Sequence, residues 1–258
     1  METIQKNDDI SLSIEAKKAG DNAKRFINAY NKIDHALRAQ YNFKRGQSFG
    51  DMVRRCTAIN SIVRKYEDIL IDFSRLRNAI IHNGNDEFVI AEPHEDVTLK
   101  MEKIAELISK PPLVINTVCR KDLIICNGDE SVANVLAKMY ESGYSNIPVY
   151  KNNRFEGMAN AQKLINTIGE ICYMGKSMDE LLKTTTILDA INYQKSTSVY
   201  YELVSADITI DQALNKFFAN RKLLALLITK NGEPDQAAIG IVTVGDIMDI
   251  NMIMDNYK

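Results

Sequence analysis

Two short segments of this 258-residue chain carry residue types whose spacing allows chemistry. In Thr243-Val-Gly-Asp246 a hydroxyl and a carboxylate stand three residues apart, after an apolar run and before a helical pattern. A carboxylate so placed can accept from ribose hydroxyls, and the hydroxyl beside it can donate or accept. The same pair also makes a capping box, which satisfies only the orphan N–H groups of the following helix. The residues alone leave both readings open. A carboxylate in the first turn opposes the phosphate that a helix N-terminus attracts, so Asp246 suits neutral hydroxyls better than phosphate itself. The second segment is Arg77-Asn78-Ala-Ile-Ile-His82. RNA is cut by its own 2′-hydroxyl when a group of near-neutral pKa moves the proton and a cation stabilises the charged phosphorane. His82 fits the first role and Arg77 the second, with Asn78 orienting phosphate or imidazole. At 100° per residue, Arg77 and His82 lie about 140° apart around a helix, so a site using both needs its other half from a second helix. Such chemistry needs no metal, and none is expected.

The elements that position Thr243 and Asp246 are stated twice in the sequence. Asp129-Glu-Ser131-Val132-x-x-Val135-Leu136-x-x-Met139-Tyr140 lies over Asp207-Ile-Thr209-Ile210-x-x-Ala213-Leu214-x-x-Phe217-Phe218 at a constant offset of 78. Both predict a short amphipathic helix, capped by Ser131 or Thr209. The same offset brings Ile147-Pro148-Val149 onto Ala225-Leu226-Leu227, two apolar runs of strand length. A turn follows each run: Lys151-Asn-Asn-Arg154 in the first copy and the longer Lys230-Asn-Gly-Glu-Pro-Asp-Gln236 in the second. The offset then grows to 83, and Gly157-Met-Ala-Asn160-Ala-Gln-Lys163-Leu164 matches Gly240-Ile-Val-Thr243-Val-Gly-Asp246-Ile247. Each copy therefore reads strand, helix, strand, strand, helix.

Through Gly143-Tyr-Ser-Asn-Ile-Pro148-Val149 and Gly240-Ile-Val-Thr243-Val-Gly-Asp246-Ile247, residues 112 to 258 resemble the CBS domain family, which works as tandem pairs. The resemblance implies two pseudo-symmetric βαββα units packed through their sheets, a first of about 112–170 and a second of about 185–258. It also implies clefts that hold adenine nucleotides or related adenosyl ligands. Thr243 and Asp246 would contact phosphate or ribose, with Ile241 beside them. The first copy departs from the family pattern, with Asn160 for the Thr and Lys163 for the Asp. Asn160 can cap a helix or donate to phosphate, whereas Lys163 only donates and cannot hold a ribose hydroxyl. The first site is then either empty, with Lys163 a solvated charge, or Lys163 reaches phosphates of a ligand in the other cleft.

Composition frames an ordinary globular chain, 45% hydrophobic and 26% charged, and its length suggests two domains. No apolar run reaches bilayer length, and no basic-then-apolar leader opens the sequence, so a cytoplasmic protein without membrane partners is expected. Cys56, Cys119, Cys126 and Cys172 show neither metal-ligand spacing nor a disulfide framework and are expected to be reduced packing residues. The net charge of −2 conceals a division. Residues 17–77 carry fourteen Lys or Arg against six Asp or Glu, and residues 86–106 carry seven acids against two bases. A basic helical face is usually only solvated, yet it also fits a polyanion such as RNA.

Residues 1–110 read as all-helical. Phe26, Tyr30, Ile33 and Leu37 follow helical spacing. Ser48-Phe-Gly-Asp51 is expected to cap a second, long helix striped by Ile59, Ile62, Val63, Tyr66, Ile69, Leu70, Phe73 and Leu76, with His82-Asn-Gly84 at its end. A third helix is expected from near Pro93 through Ile104 and Leu107, before the Pro111-Pro112 boundary. On Arg77, Asn78 and His82 this region resembles the HEPN superfamily, helical domains whose Arg-x(4 to 6)-His motif meets its copy across a dimer interface. The resemblance covers about residues 15–110. It implies a homodimer or higher homo-oligomer and, in many members, a metal-independent endoribonuclease; others only bind nucleotides or act as scaffolds. His35 and His94 read as surface residues. Residues 165–198 form a connector with a helix from Ser177, and Thr184–Ala190 is expected to begin the packing of the second unit. Tyr193, Tyr200 and Tyr201 are expected to pack on the core. The whole reads as α+β: an all-α domain of residues 1–110, then a βαββα pair of residues 112–258.

Overall fold

The computed structural model describes residues 2–82, 91–175, 177–194 and 200–256, and the side chains of these except 2–19, 82, 180, 181 and 194. The chain separates into two compact units, Met1–Pro112 with Ile253–Lys258, and Leu113–Met252.

The first unit is helical: α1 (Glu2–Tyr41), α2 (Phe49–Cys56), α3 (Ser61–Lys65), α4 (Glu67–His82) and α5 (Glu95–Ser109). Its core is built from fully buried Phe26, Ile33 and Leu37 of α1, Met52 of α2, Ile62 of α3, Leu70 of α4 and Met101, Ile104 and Leu107 of α5. Phe26 and Phe73 meet edge to face at 5.4 Å. The expected single long helix is three. Ser48 Oγ does cap its start, accepting from Asp51 N–H at 3.1 Å. The helix stops at Cys56, however, and Asn60 begins another by accepting from Val63 N–H at 2.9 Å while its amide donates to Tyr41 Oη at 3.0 Å. A buried Asn has to bond the backbone locally, and that local bond competes with continuing the helix. Ile59, in the break, is 52% exposed and leaves the expected apolar stripe. His94 takes the N-cap position of α5.

The charge division becomes pairing. Arg25 of α1 reaches Glu102 at 2.7 Å and Glu95 at 2.9 Å on α5, and Lys32 pairs with Glu106. Hydrogen bonds from Arg25 to Glu102 and then Glu95 raise its pKa. Part of the basic excess thus answers the acidic helix.

The second unit contains two three-stranded sheets among the described residues. They are β1 (Cys126–Asn127), β2 (Asn146–Lys151), β3 (Arg154–Asn160), and β4 (Tyr201–Ser205), β5 (Ala225–Thr229), β6 (Ala238–Thr243). In each, the first strand pairs parallel to the second, which pairs antiparallel to the third. A helix bridges each parallel pair: α6 (Val132–Ser142), capped by Ser131 and ended by left-handed Gly143, and α10 (Ile210–Ala219), capped by Thr209. Asn152 and Asn153 both adopt positive φ in the tight first hairpin, the geometry that two-residue loops require. Phe155 and Met158 of β3 share a buried cluster with Tyr200 and with Ala225, Leu227 and Ile241 of the second sheet.

The connector folds as the end of α7 (Ala161–Tyr173), α8 (Met178–Thr184) and α9 (Ile187–Gln194). Against expectation, α9 completes the first βαββα unit rather than beginning the second. Ile187, Ala190 and Ile191 join the cluster of Val135, Ile147 and Val149. The backbone seals this placement, Ile187 N–H donating to Glu130 C=O at 2.7 Å and Leu188 N–H to Gly128 C=O at 3.1 Å. The α9 side chain of Tyr193 is 56% exposed instead of packed, whereas Tyr200 is buried. Cys172 is likewise exposed, unlike buried Cys56 and Cys126.

Candidate functional site

The cleft of the second unit begins with a missing Cβ. The segment before β1 crosses β6, where Arg120 N–H donates to Ile241 C=O at 3.1 Å and Ile241 N–H to Arg120 C=O at 3.0 Å. A Cβ on Gly240 would lie 1.9 Å from Cys119 Sγ, so only glycine admits this approach. The crossing fixes the Arg120 backbone beside the end of β6. Its guanidinium donates to Asp246 Oδ1 at 3.1 Å and lies 5.9 Å from the centre of the Tyr144 ring. Tyr144 Oη in turn donates to Asp122 at 3.2 Å.

After β6 the chain makes one tight turn, Val244–Asp246, and enters α11 (Ile247–Asn256). Asp246 Oδ2 accepts from Thr243 N–H at 2.7 Å and from Thr243 Oγ1 at 2.9 Å. Asp246 caps the turn, then, and also holds a guanidinium; it is only 3% exposed. Because the Thr243 hydroxyl spends its proton on Asp246, what remains on that oxygen is acceptor capacity.

A cavity of about 260 Å³ opens beside these groups. Arg120, Asp122, Leu123 and Ile124 line one side, Gly143–Asn146 and Pro148 another, and Ile241 and Thr243 close it. Ile241 and Thr243 are thus brought together at the wall, with Asp246 buried behind Thr243. Asn160 and Lys163 are not at this wall. Asn160 Oδ1 caps α7 through Lys163 N–H at 3.0 Å, and its amide donates to Asn146 Oδ1 at 2.8 Å. The Lys163 ammonium is neither freely solvated nor in the cleft; it sits 4.2 Å from the centre of the Tyr200 ring. Over Gly157, the counterpart of Gly240, Ile191 and Tyr201 pack closely, so both glycines are covered, Gly157 by side chains of Ile191 and Tyr201 and Gly240 by the crossing segment at Cys119 and Arg120. Motif spacing misses Arg120, because only strand crossing joins it to Asp246, 126 positions away.

In the helical unit, Arg77 lies with its guanidinium 5.4 Å from the centre of the Tyr30 ring and donates to Asn78 Oδ1 at 3.4 Å. Among the described residues its buried Nε has no hydrogen-bond partner. Asn78 is exposed, and His82 is the last residue of α4, with its side chain outside the described residues. Arg77 and Asn78 are therefore together, and the position of the His82 imidazole is not described. His35 and His94 are exposed. Among the described residues no cluster of three or more His, Cys, Asp or Glu could hold a metal ion, and no helix is long and apolar enough to cross a membrane.

Residues 104–170 match the family model of the CBS domain, so the chain contains a CBS domain. No curated protein matches the chain. Among solved structures the chain is similar to CbpB in complex with c-di-AMP, at 13% identity and a TM-score of 0.43, covering 60% of this chain and 94% of that one. It is also similar to CBSX2 in complex with AMP, at 16% identity and a TM-score of 0.42, covering 56% and 98%. A third is the CBS domain of a bacterial CNNM/CorC family Mg2+ transporter in complex with ATP, at 20% identity and a TM-score of 0.41, covering 59% and 94%.

Proposed function

We propose that this chain, in which residues 104–170 carry a CBS domain, is a regulator that senses an adenine nucleotide or related adenosyl ligand. The observation that carries this reading is the cleft ending in Thr243 and Asp246. There the Arg120 guanidinium, the Thr243 hydroxyl and the apolar walls of Ile124, Pro148 and Ile241 line a cavity, and the buried Asp246 carboxylate adjoins it through its bonds to Arg120 and Thr243. The base would lie against the apolar walls, the ribose hydroxyls would donate to Asp246, and the phosphate would take the cationic end. The volume is near the lower limit of about 300 Å³ for small-molecule sites and favours a mononucleotide. Calorimetry with AMP, ADP, ATP and cyclic dinucleotides tests the reading on wild type and Asp246→Ala. Binding that the substitution abolishes supports it; unchanged affinity removes Asp246 from the site.

The helical domain is the output on this reading, and a homodimer is its working form. The resemblance carried by Arg77, Asn78 and His82 supports metal-independent RNA cleavage. His82 would move the proton of the 2′-hydroxyl, Arg77 would clamp the phosphate and Asn78 would orient them. Ligand control requires that the nucleotide bind one arrangement of the protein more tightly than another. A second reading, a non-enzymatic sensor whose helical domain binds RNA or a partner protein, is favoured by one observation. Arg77 is engaged within its own unit, on Tyr30 and Asn78. RNA cleavage by the purified chain, lost in His82→Ala, selects the first reading; no cleavage with any ligand selects the second.

A further inference from the structure

The cleft already holds a cation, and that cation belongs to the protein. Arg120 Nη2 donates to Asp246 Oδ1 at 3.1 Å, the oxygen that Thr243 leaves open. The two partners differ in freedom. The Asp246 side chain is 5% exposed, while that of Arg120 is 48% exposed on a backbone held by Ile241. One partner is fixed and the other can swing.

We infer that Arg120 gates the cleft by exchange. In the empty cleft it supplies the counter-charge of Asp246. When a phosphorylated adenosine ligand enters, the ribose hydroxyls replace it at Asp246 and the guanidinium turns to the phosphate. The inference rests on the cleft being an adenine-nucleotide site and adds how that site reads phosphorylation. A ligand without phosphate has to displace Arg120 from Asp246 and gives the guanidinium nothing in return. A ligand with phosphate offers an anion that the planar fork grips with two parallel hydrogen bonds. The face of Tyr144 lies 5.9 Å from the guanidinium and, as a wall of the same cavity, favours a cation beside it. No bond is made or broken; the exchange trades one ion pair for another.

The exchange has a signature that a simple phosphate contact lacks, because one substitution moves two ligands in opposite directions. Calorimetry of the full chain with adenosine and with AMP measures it in wild type, Arg120→Met and Arg120→Lys. Arg120→Met should bind adenosine about threefold to tenfold more tightly, since the competitor for Asp246 is gone, and AMP about tenfold more weakly. Arg120→Lys keeps a charge but loses the fork. It should show the same opposed signs at smaller size, so the comparison does not depend on Arg120→Met folding. Affinities for both ligands that fall together, or that both stay unchanged, overturn the exchange and leave the cleft a nucleotide site. Failure of adenosine and AMP to bind any of the three proteins overturns the exchange and the nucleotide reading together.

Discussion

Asn160 donates its amide to Asn146 Oδ1 at 2.8 Å, so the residue that replaces Thr in the first copy's motif supports a wall of the second copy's cleft. Asn160 also caps α7. Asn160→Ala should therefore cost about 1–2 kcal/mol of stability, through the lost cap and an unpaired Asn146 oxygen. AMP affinity should fall about threefold by calorimetry as the wall loosens. Unaltered melting and unaltered affinity would show that the contact does neither job.

Gly240 yields a sharper prediction. Gly240→Ala puts a methyl group where Cys119 Sγ lies 1.9 Å away, and Arg120 C=O at 3.2 Å limits its escape. Urea denaturation should show a loss of about 1–3 kcal/mol. Cys119→Ala removes the clashing sulfur, so the double variant should recover part of that loss, a non-additivity expected only of residues in contact. Strictly additive losses would mean that the two do not meet.

The thiols report on burial. Burial pushes the Cys56 and Cys126 thiols up to about 11 from the usual 9.0. Each therefore holds its proton more tightly folded than unfolded. The stability this contributes is complete below about pH 9 and is lost as pH rises toward 11. A disulfide reagent near pH 8 should label exposed Cys172 quickly, half-buried Cys119 slowly, and Cys56 and Cys126 only on unfolding. Fast labelling of Cys126 in the native protein would contradict the packing of the first βαββα copy.

The repeat, the Ser131 and Thr209 caps and the strand-helix-strand-strand order were legible because each is a local pattern, a cap or a period, that the sequence displays directly. The missed features depend on contacts distant in sequence or on local bonds that compete with a period. Asn60 interrupts an apolar stripe whose period is otherwise helical, since periodicity weighs side-chain polarity and not the buried amide's need for a backbone partner. The place of α9 is decided by backbone bonds from Ile187 and Leu188 to the Gly128–Glu130 turn, which no composition signals. Arg25 and Glu102 stand as unlike charges in separate segments until folding pairs α1 with α5. Thr243 and Asp246 carried a motif, whereas Arg120 carried none.

For the helical domain, the proposed chemistry predicts that His82→Ala lowers RNA cleavage at least about a hundredfold without lowering the melting temperature, because general acid–base help is of that size. Arg77→Ala should abolish cleavage and also lower stability, since its guanidinium packs on Tyr30. Cleavage that survives both substitutions would belong to a different site or to a contaminant.

The central claim is that Asp246 receives ribose hydroxyls in the cleft of the second unit. The most direct measurement compares the affinities of the wild-type chain for AMP and for 2′,3′-dideoxy-AMP by calorimetry. The two differ only in the hydroxyls that Asp246 would accept. Without them the ligand gives Asp246 nothing in exchange for Arg120, and the phosphate and Asp246 compete for one guanidinium, so AMP should bind at least about tenfold more tightly. Equal affinities would contradict the claim and leave Asp246 as the cap of its own turn.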